Sequence, residues 1–143
     1  MNQYILLVED DDDHAELAEF HINNYCDIEV VRLSDGEEAM SYIALLENNE
    51  KPLPWLVLLD LKIPKYDGHE ILTKIKSSTN LLKCPVVMFT TSNSNKDIKK
   101  ALDLKANSYI LKPTELGMYG DVLEEMIDYW KLDQHHVLSQ PGQ

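Results

Sequence analysis

Three stretches of this chain are apolar with no alternation: YILLV (4–8), WLVLLD up to its terminal acid (55–60) and PVVMFTT (85–91). A strand with one wet face alternates apolar and polar residues. A strand covered on both faces does not, and sheets covered on both faces are mostly parallel. The runs IEVVRL (28–33) and SYILK (108–112) read as two weaker strands. Helical patterns lie between them: HAELAEFHINNY (14–25), SDGEEAMSYIALLENN (34–49), DGHEILTKIKSS (67–78), SNKDIKKALDLK (94–105) and MYGDVLEEMIDYWKL (118–132). Ser34 and Asp35 are N-cap candidates, with Glu38 supporting the first turn. Ile71, Leu72 and Ile75 form one apolar stripe, and Ile98, Ala101, Leu102 and Lys105 a second. Tyr119, Val122, Leu123, Met126, Ile127 and Trp130 form a third. Five strand–helix repeats predict an α/β doubly wound parallel sheet with right-handed crossovers.

The 143 residues suit one domain with a sizeable core. The net charge of −12 sets the surface against nucleic-acid phosphates and anionic membranes, and KDIKK (96–100) is too small a basic group to reverse this. Neither nucleic acid nor a membrane is therefore an expected partner. Cys26 and Cys84 form no C-x-x-C and read as reduced thiols. The first residues lack a basic segment, and the apolar run 4–8 is too short for a signal peptide or a membrane span. A cytoplasmic location is expected. The domain is expected to occupy 1–132. Residues 133–143 (DQHHVLSQPGQ) read as a frayed tail available for partner contact, and His135-His136 as part of that tail rather than a metal site.

Open parallel α/β sheets bind ligands beyond the carboxyl ends of their strands. At those ends stand Glu9-Asp10, Asp60, Thr90-Thr91 and Lys112-Pro113. Three carboxylates collected there cannot all stay ionised cheaply without a cation. A hard divalent ion resolves this, and Mg²⁺ takes only one or two carboxylates directly. Hydroxyl and ammonium together suit the oxygens of a tetrahedral anion, so the set points to phosphoryl transfer. Asp60 ends the most apolar strand and is the natural nucleophile, with Glu9 and Asp10 better placed to hold metal. Asp11 to Asp13 read as a solvated helix start favoured by the helix dipole.

The motifs ILLVEDD, LVLLDLKIPKYDG, PVVMFTTS and YILKPT, in that order, resemble the receiver domains of two-component response regulators over residues 4 to about 132. DLKIPKYDGHEIL, the proline-bearing loop 48–54 and YW near the end resemble the single-domain, phytochrome-associated members. The resemblance implies a flavodoxin-like, CheY-like sheet of strand order 2-1-3-4-5. It implies that Asp60 accepts a phosphoryl group from a sensor histidine kinase, phytochrome-type kinases included. Asp10, Asp60 and the backbone carbonyl of Lys62 would hold Mg²⁺ or Mn²⁺, with Glu9 acting through a bound water. Lys112 would pair with phosphoryl oxygens, Thr90 would be the switch hydroxyl and Tyr109 the switching aromatic. Pro64 and Gly68 would shape the following loop, Gly68 through a turn conformation that other residues resist. Lys112-Pro113 would be a cis peptide bond.

The chain departs from the family pattern at Lys62 and Thr91, and Ser92 occupies the matching tuning position after Thr90; all three are expected to tune phosphate lifetime. YILKPT has Thr114 where relatives more often carry Phe, so packing after Lys112 is expected to differ. The chain is expected to be a phosphoacceptor with slow self-catalysed turnover, not a dedicated enzyme. Two other classes stand beside this reading: a receiver-like binding module that is never phosphorylated, and a Mg²⁺-dependent aspartyl-phosphate phosphatase using Asp10 and Asp12. No output domain is expected, so the signal is expected to leave by protein contact. The routes are docking on a partner, relay to a histidine phosphotransfer protein, or a homodimer through the fourth helix, fifth strand and fifth helix. Trp130 is a candidate to cap such an interface.

Overall fold

The computed structural model describes residues 3–139, with side chains described through Lys131. Its strands are β1 (Tyr4–Val8), β2 (Glu29–Leu33), β3 (Leu56–Leu59), β4 (Val86–Thr90) and β5 (Ser108–Leu111). They form one parallel sheet of order β2-β1-β3-β4-β5. The helices are α1 (Asp12–Tyr25), α2 (Gly36–Glu47), α3 (Gly68–Ser77), α4 (Asn95–Asp103) and α5 (Tyr119–Ser139), the last preceded by a 3-10 turn, Leu116–Met118.

The unbroken apolar runs follow from this layering. Ile5 and Leu7 of β1 face α1 and α5 and pack with Ala15, Ile22, Leu123 and Ile127. Leu6 and Val8 face the opposite layer of α2, α3 and α4 and pack with Ile43, Ile71, Leu72 and Ala101. Both faces are dry, so every position of the central strands is apolar except Thr90, the last residue of β4. Each buried Leu or Ile contributes about 1.5–3 kcal/mol relative to an exposed one. The edge strands β2 and β5 are only partly buried, which explains their weaker signals.

Four helices start on side-chain caps: Asp11, Asp35, Asp67 and Ser94 each accept from a backbone N–H three residues on. At α3 Asp67 and Glu70 complete a capping box. Ser34 is not a cap; its hydroxyl donates to Glu38 Oε1 at 2.6 Å.

Several expectations are corrected. In α4 only Ala101 is buried, Leu102 is 49% exposed, and the helix stops at Asp103. Lys105 takes a left-handed turn at φ 78° beyond the helix, so the predicted stripe is shorter than read. Trp130 is buried at 8% exposure in its own domain's core and does not cap an exposed surface. The Lys112-Pro113 bond is trans, the form that X–Pro bonds favour by about 0.5–1 kcal/mol. α5 continues past position 132 to Ser139. The side chains of His135 and His136, and residues 140–143, lie outside the described residues.

Candidate acidic site at the strand ends

Parallel pairing carries on one residue past the strands and fixes the site's backbone. Glu9 N donates to Leu33 O at 3.0 Å, Asp60 N to Val8 O at 3.0 Å, and Lys112 N to Thr90 O at 2.8 Å. Residues that end four different strands are thereby brought to one sheet edge. Carboxylate oxygens of Glu9, Asp10 and Asp60 lie within 4.8 Å of one another. Glu9 and Asp60 are buried, while Asp10 is open to solvent.

Lys112 is buried and meets this cluster directly. Its Nζ lies 2.6 Å from Glu9 Oε1 and 2.7 Å from Asp60 Oδ2. Burial alone would lower the lysine's pKa, but the bonds and charges of Asp60 and Glu9 outweigh it and hold the ammonium above its usual value. Asp60 Oδ1 accepts from Leu61 N at 2.6 Å. Burial, and next the charge of Asp60, push the Glu9 carboxyl up to about 7 even though Lys112 pulls it down. One ammonium does not balance three carboxylates. The residual negative charge, the all-oxygen donor set and the solvent-open Asp10 fit a hard divalent cation that keeps waters.

Thr90 ends β4 beside the backbone of Lys112, and its side chain is buried. Ser92 N lies 3.4 Å from Thr90 Oγ1, and Tyr109 donates its hydroxyl hydrogen to Ser92 O at 2.8 Å. Ser92 Oγ in turn donates to Asp97 Oδ2 at 2.6 Å, at the start of α4. Thr90, Ser92 and Tyr109 are thus joined through one loop. Lys62, Thr91 and Thr114 are exposed. Asp12, the second acid of the phosphatase spacing, is turned away onto Arg32 at 2.9 Å and lies outside the carboxylate trio.

Gly68 is needed for a different reason than expected. No glycine among the described residues has positive φ. A Cβ on Gly68 would instead stand 2.5 Å from Asp60 O and 2.7 Å from Leu61 Cα. Close approach of α3 to the Asp60 backbone, not a turn, excludes a side chain there. Lys65 takes the left-handed position in this loop, at φ 76°.

Two residues at the site were not anticipated. His14 Nδ1 lies 2.9 Å from Lys112 Nζ. Arg32 donates through Nε and one terminal nitrogen to the carbonyl of Glu9, at 3.0 and 2.9 Å. In sequence, His14 is one polar residue on a helix and Arg32 one charge on a weak strand. The remaining signal was position: the first turn after the acids, and the end of the second strand.

Residues 5–123 match the family described as the response regulator receiver domain. This chain is a response regulator receiver. The receiver is 43% identical over 129 residues to the probable methanogenesis regulatory protein FilR2 of Methanothrix harundinacea, covering 88% of this chain and 82% of that one. It is 34% identical over 128 residues to response regulator Rcp1 of Synechocystis, covering 88% and 87%. It superposes on the phosphorylated cyanobacterial phytochrome response regulator RcpA with a TM-score of 0.85 at 36% identity, covering 91% and 94% of the two chains. Rcp1 has been crystallised in a Mn²⁺-bound form, similar to this receiver at a TM-score of 0.82. The receiver is thus similar to phytochrome-associated regulators along nearly their whole length. Among its described residues no helix is long and apolar enough to cross a membrane.

Proposed function

We propose that this receiver accepts a phosphoryl group on Asp60 from the phosphohistidine of a sensor histidine kinase and signals by a conformational change to a protein partner. The observation that carries the reading is the buried Lys112 ammonium bridging Asp60 and Glu9 beside Asp10. In the transfer an Asp60 carboxylate oxygen forms the new P–O bond as the kinase's P–N bond breaks. The electron pair leaves with the imidazole nitrogen, which then takes a proton. Lys112 offsets the charge developing on the phosphoryl oxygens. Asp10, Asp60 and the Lys62 carbonyl would hold Mg²⁺ or Mn²⁺, with Glu9 reaching it through water; a bound cation there supplies further charge neutralisation.

Thr90 then turns to bond a phosphoryl oxygen and Tyr109 follows into the space it leaves, altering the α4–β5–α5 face. Lys62, Thr91 and Ser92 set how long the phosphate persists. Phosphorylation and hydrolysis at Asp60 are slow self-catalysed steps rather than the turnover of an enzyme. The receiver unit works in the cytoplasm, and the end of α5 with the residues after it is available for partner contact. That partner is a target protein, a histidine phosphotransfer protein or a second copy through α4, β5 and α5.

Phosphotransfer from the source organism's histidine kinases, phytochrome-type included, tests this with Asp60→Asn as control. Label is expected on the wild type from one kinase and absent from the variant. Binding of a partner with no kinase or small-molecule donor able to label Asp60 would favour the binding module instead.

A further inference from the structure

The Lys112 ammonium has three N–H donors and no acceptor. Two go to carboxylates, Glu9 Oε1 at 2.6 Å and Asp60 Oδ2 at 2.7 Å. The third meets His14 Nδ1 at 2.9 Å. An ammonium can only donate, so Nδ1 must present its lone pair, and the ring proton sits on Nε2.

His14 is held firmly enough to act as a fixed point. It lies in the first turn of α1, and its own backbone N–H is the one that Asp11 caps, at 3.0 Å. Its ring stands 6.1 Å from that of the buried Tyr119 at the start of α5, and Tyr119 is braced edge-on against Phe89 at 5.6 Å. The cap at the start of α1 and the aromatic wall from α5 and β4 hold the imidazole that meets the amine.

From this arrangement, and resting on the phosphoacceptor reading above, we infer that His14 is a positioning residue for phosphoryl transfer: it occupies the third N–H of Lys112 and keeps the ammonium aimed at Asp60. Its neutrality matters. A carboxylate there would fix the amine equally well but would offset part of the charge that the incoming phosphoryl group needs. A neutral acceptor fixes direction and leaves the charge available. When Asp60 carries a phosphoryl group, one N–H passes to a phosphoryl oxygen while Glu9 and His14 hold the other two.

Two substitutions test the assignment. His14→Leu keeps bulk and removes the acceptor. His14→Asn can place an amide oxygen close to where Nδ1 stands. Phosphorylation of Asp60 by acetyl phosphate at saturating Mg²⁺ is followed by mass spectrometry for wild type and both variants. The Leu variant is expected to react about tenfold more slowly, the effect of losing one hydrogen bond to a charged group. The Asn variant is expected to recover most of the rate.

An independent reading needs no phosphoryl donor. In ¹⁵N NMR of the metal-free protein, the His14 ring should show an unprotonated Nδ1 and a protonated Nε2. The slow-exchanging Lys112 Nζ signal should be present in wild type and the Asn variant and weakened in the Leu variant. A Leu variant as fast as wild type, or an Asn variant as slow as the Leu variant, overturns the assignment while leaving the phosphoacceptor reading intact. If wild type itself takes no phosphoryl group on Asp60, that reading falls and this one with it, whatever the NMR shows.

Discussion

Arg32, at the end of β2, grips the backbone carbonyl of Glu9 with two nitrogens of one guanidinium, at 3.0 and 2.9 Å. A third nitrogen pairs with Asp12 at 2.9 Å. The turn from β1 into α1 carries two of the three clustered carboxylates, so this grip fixes where Asp10 and Glu9 point. Arg32→Ala is expected to cost about 1–3 kcal/mol of stability, read by urea unfolding. It should also weaken Mg²⁺ binding in a calorimetric titration. Arg32→Lys should restore little of either, because an ammonium is a point donor and cannot span the carbonyl and Asp12 together.

Gly68 permits close packing rather than an unusual turn. Its missing Cβ would lie 2.5 Å from the carbonyl of Asp60, which is backbone and cannot swing away. Gly68→Ala is expected to destabilise the protein by about 1–3 kcal/mol, as overpacking does. Gly117 supplies the contrast: a Cβ there meets nothing within 4 Å. Gly117→Ala should leave the urea midpoint nearly unchanged.

The difference between these two glycines shows what the sequence could and could not reveal. Residues ending the central strands were readable, because long apolar runs announce buried strands and parallel sheets gather strand ends at one edge. Glu9, Asp10, Asp60, Thr90 and Lys112 are thus legible in the sequence as strand-end residues that share one edge. Contacts made across elements by residues with ordinary local roles are not. His14 and Arg32 reach the site only through the positions of α1 and β2 in the sheet. The need for glycine at 68 lies in how near α3 passes to the Asp60 backbone, which no local pattern encodes. In α4 the sequence suggests a longer stripe because Leu102 and Lys105 keep helical spacing, although the helix ends at Asp103 and leaves both exposed.

Glu9 gives the site a pH dependence. Burial first, then Asp60, raises its carboxyl from 4.5 to about 7. A group raised on folding favours the folded state while protonated. That contribution is fully present below pH 4.5 and is lost as pH rises through about 7. Metal-free wild type should therefore lose stability relative to Glu9→Gln between pH 5 and 7.5, since the amide never ionises. Urea unfolding of both proteins at the two pH values checks the difference. A constant gap would reject this account of Glu9.

Lys62 brings a second cation two residues after Asp60, exposed to solvent. Lys62→Asn is expected to change the rate of phosphate loss by up to about fivefold, since an exposed charge pair is worth about 0.2–1 kcal/mol. A timed assay of labelled protein in Mg²⁺ buffer measures it. An unchanged half-life would remove Lys62 from the residues that set phosphate lifetime.

The central claim is that Asp60 takes up a phosphoryl group with the help of a cation and Lys112. The most direct measurement is intact-mass and peptide mass spectrometry after incubation with acetyl phosphate, with Mg²⁺ present and with it chelated. The account predicts one phosphoryl adduct on the Asp60 peptide in Mg²⁺, little after chelation, none in Asp60→Asn and a sharp reduction in Lys112→Ala. Unmodified protein in Mg²⁺, or an adduct that persists in Asp60→Asn, would contradict it.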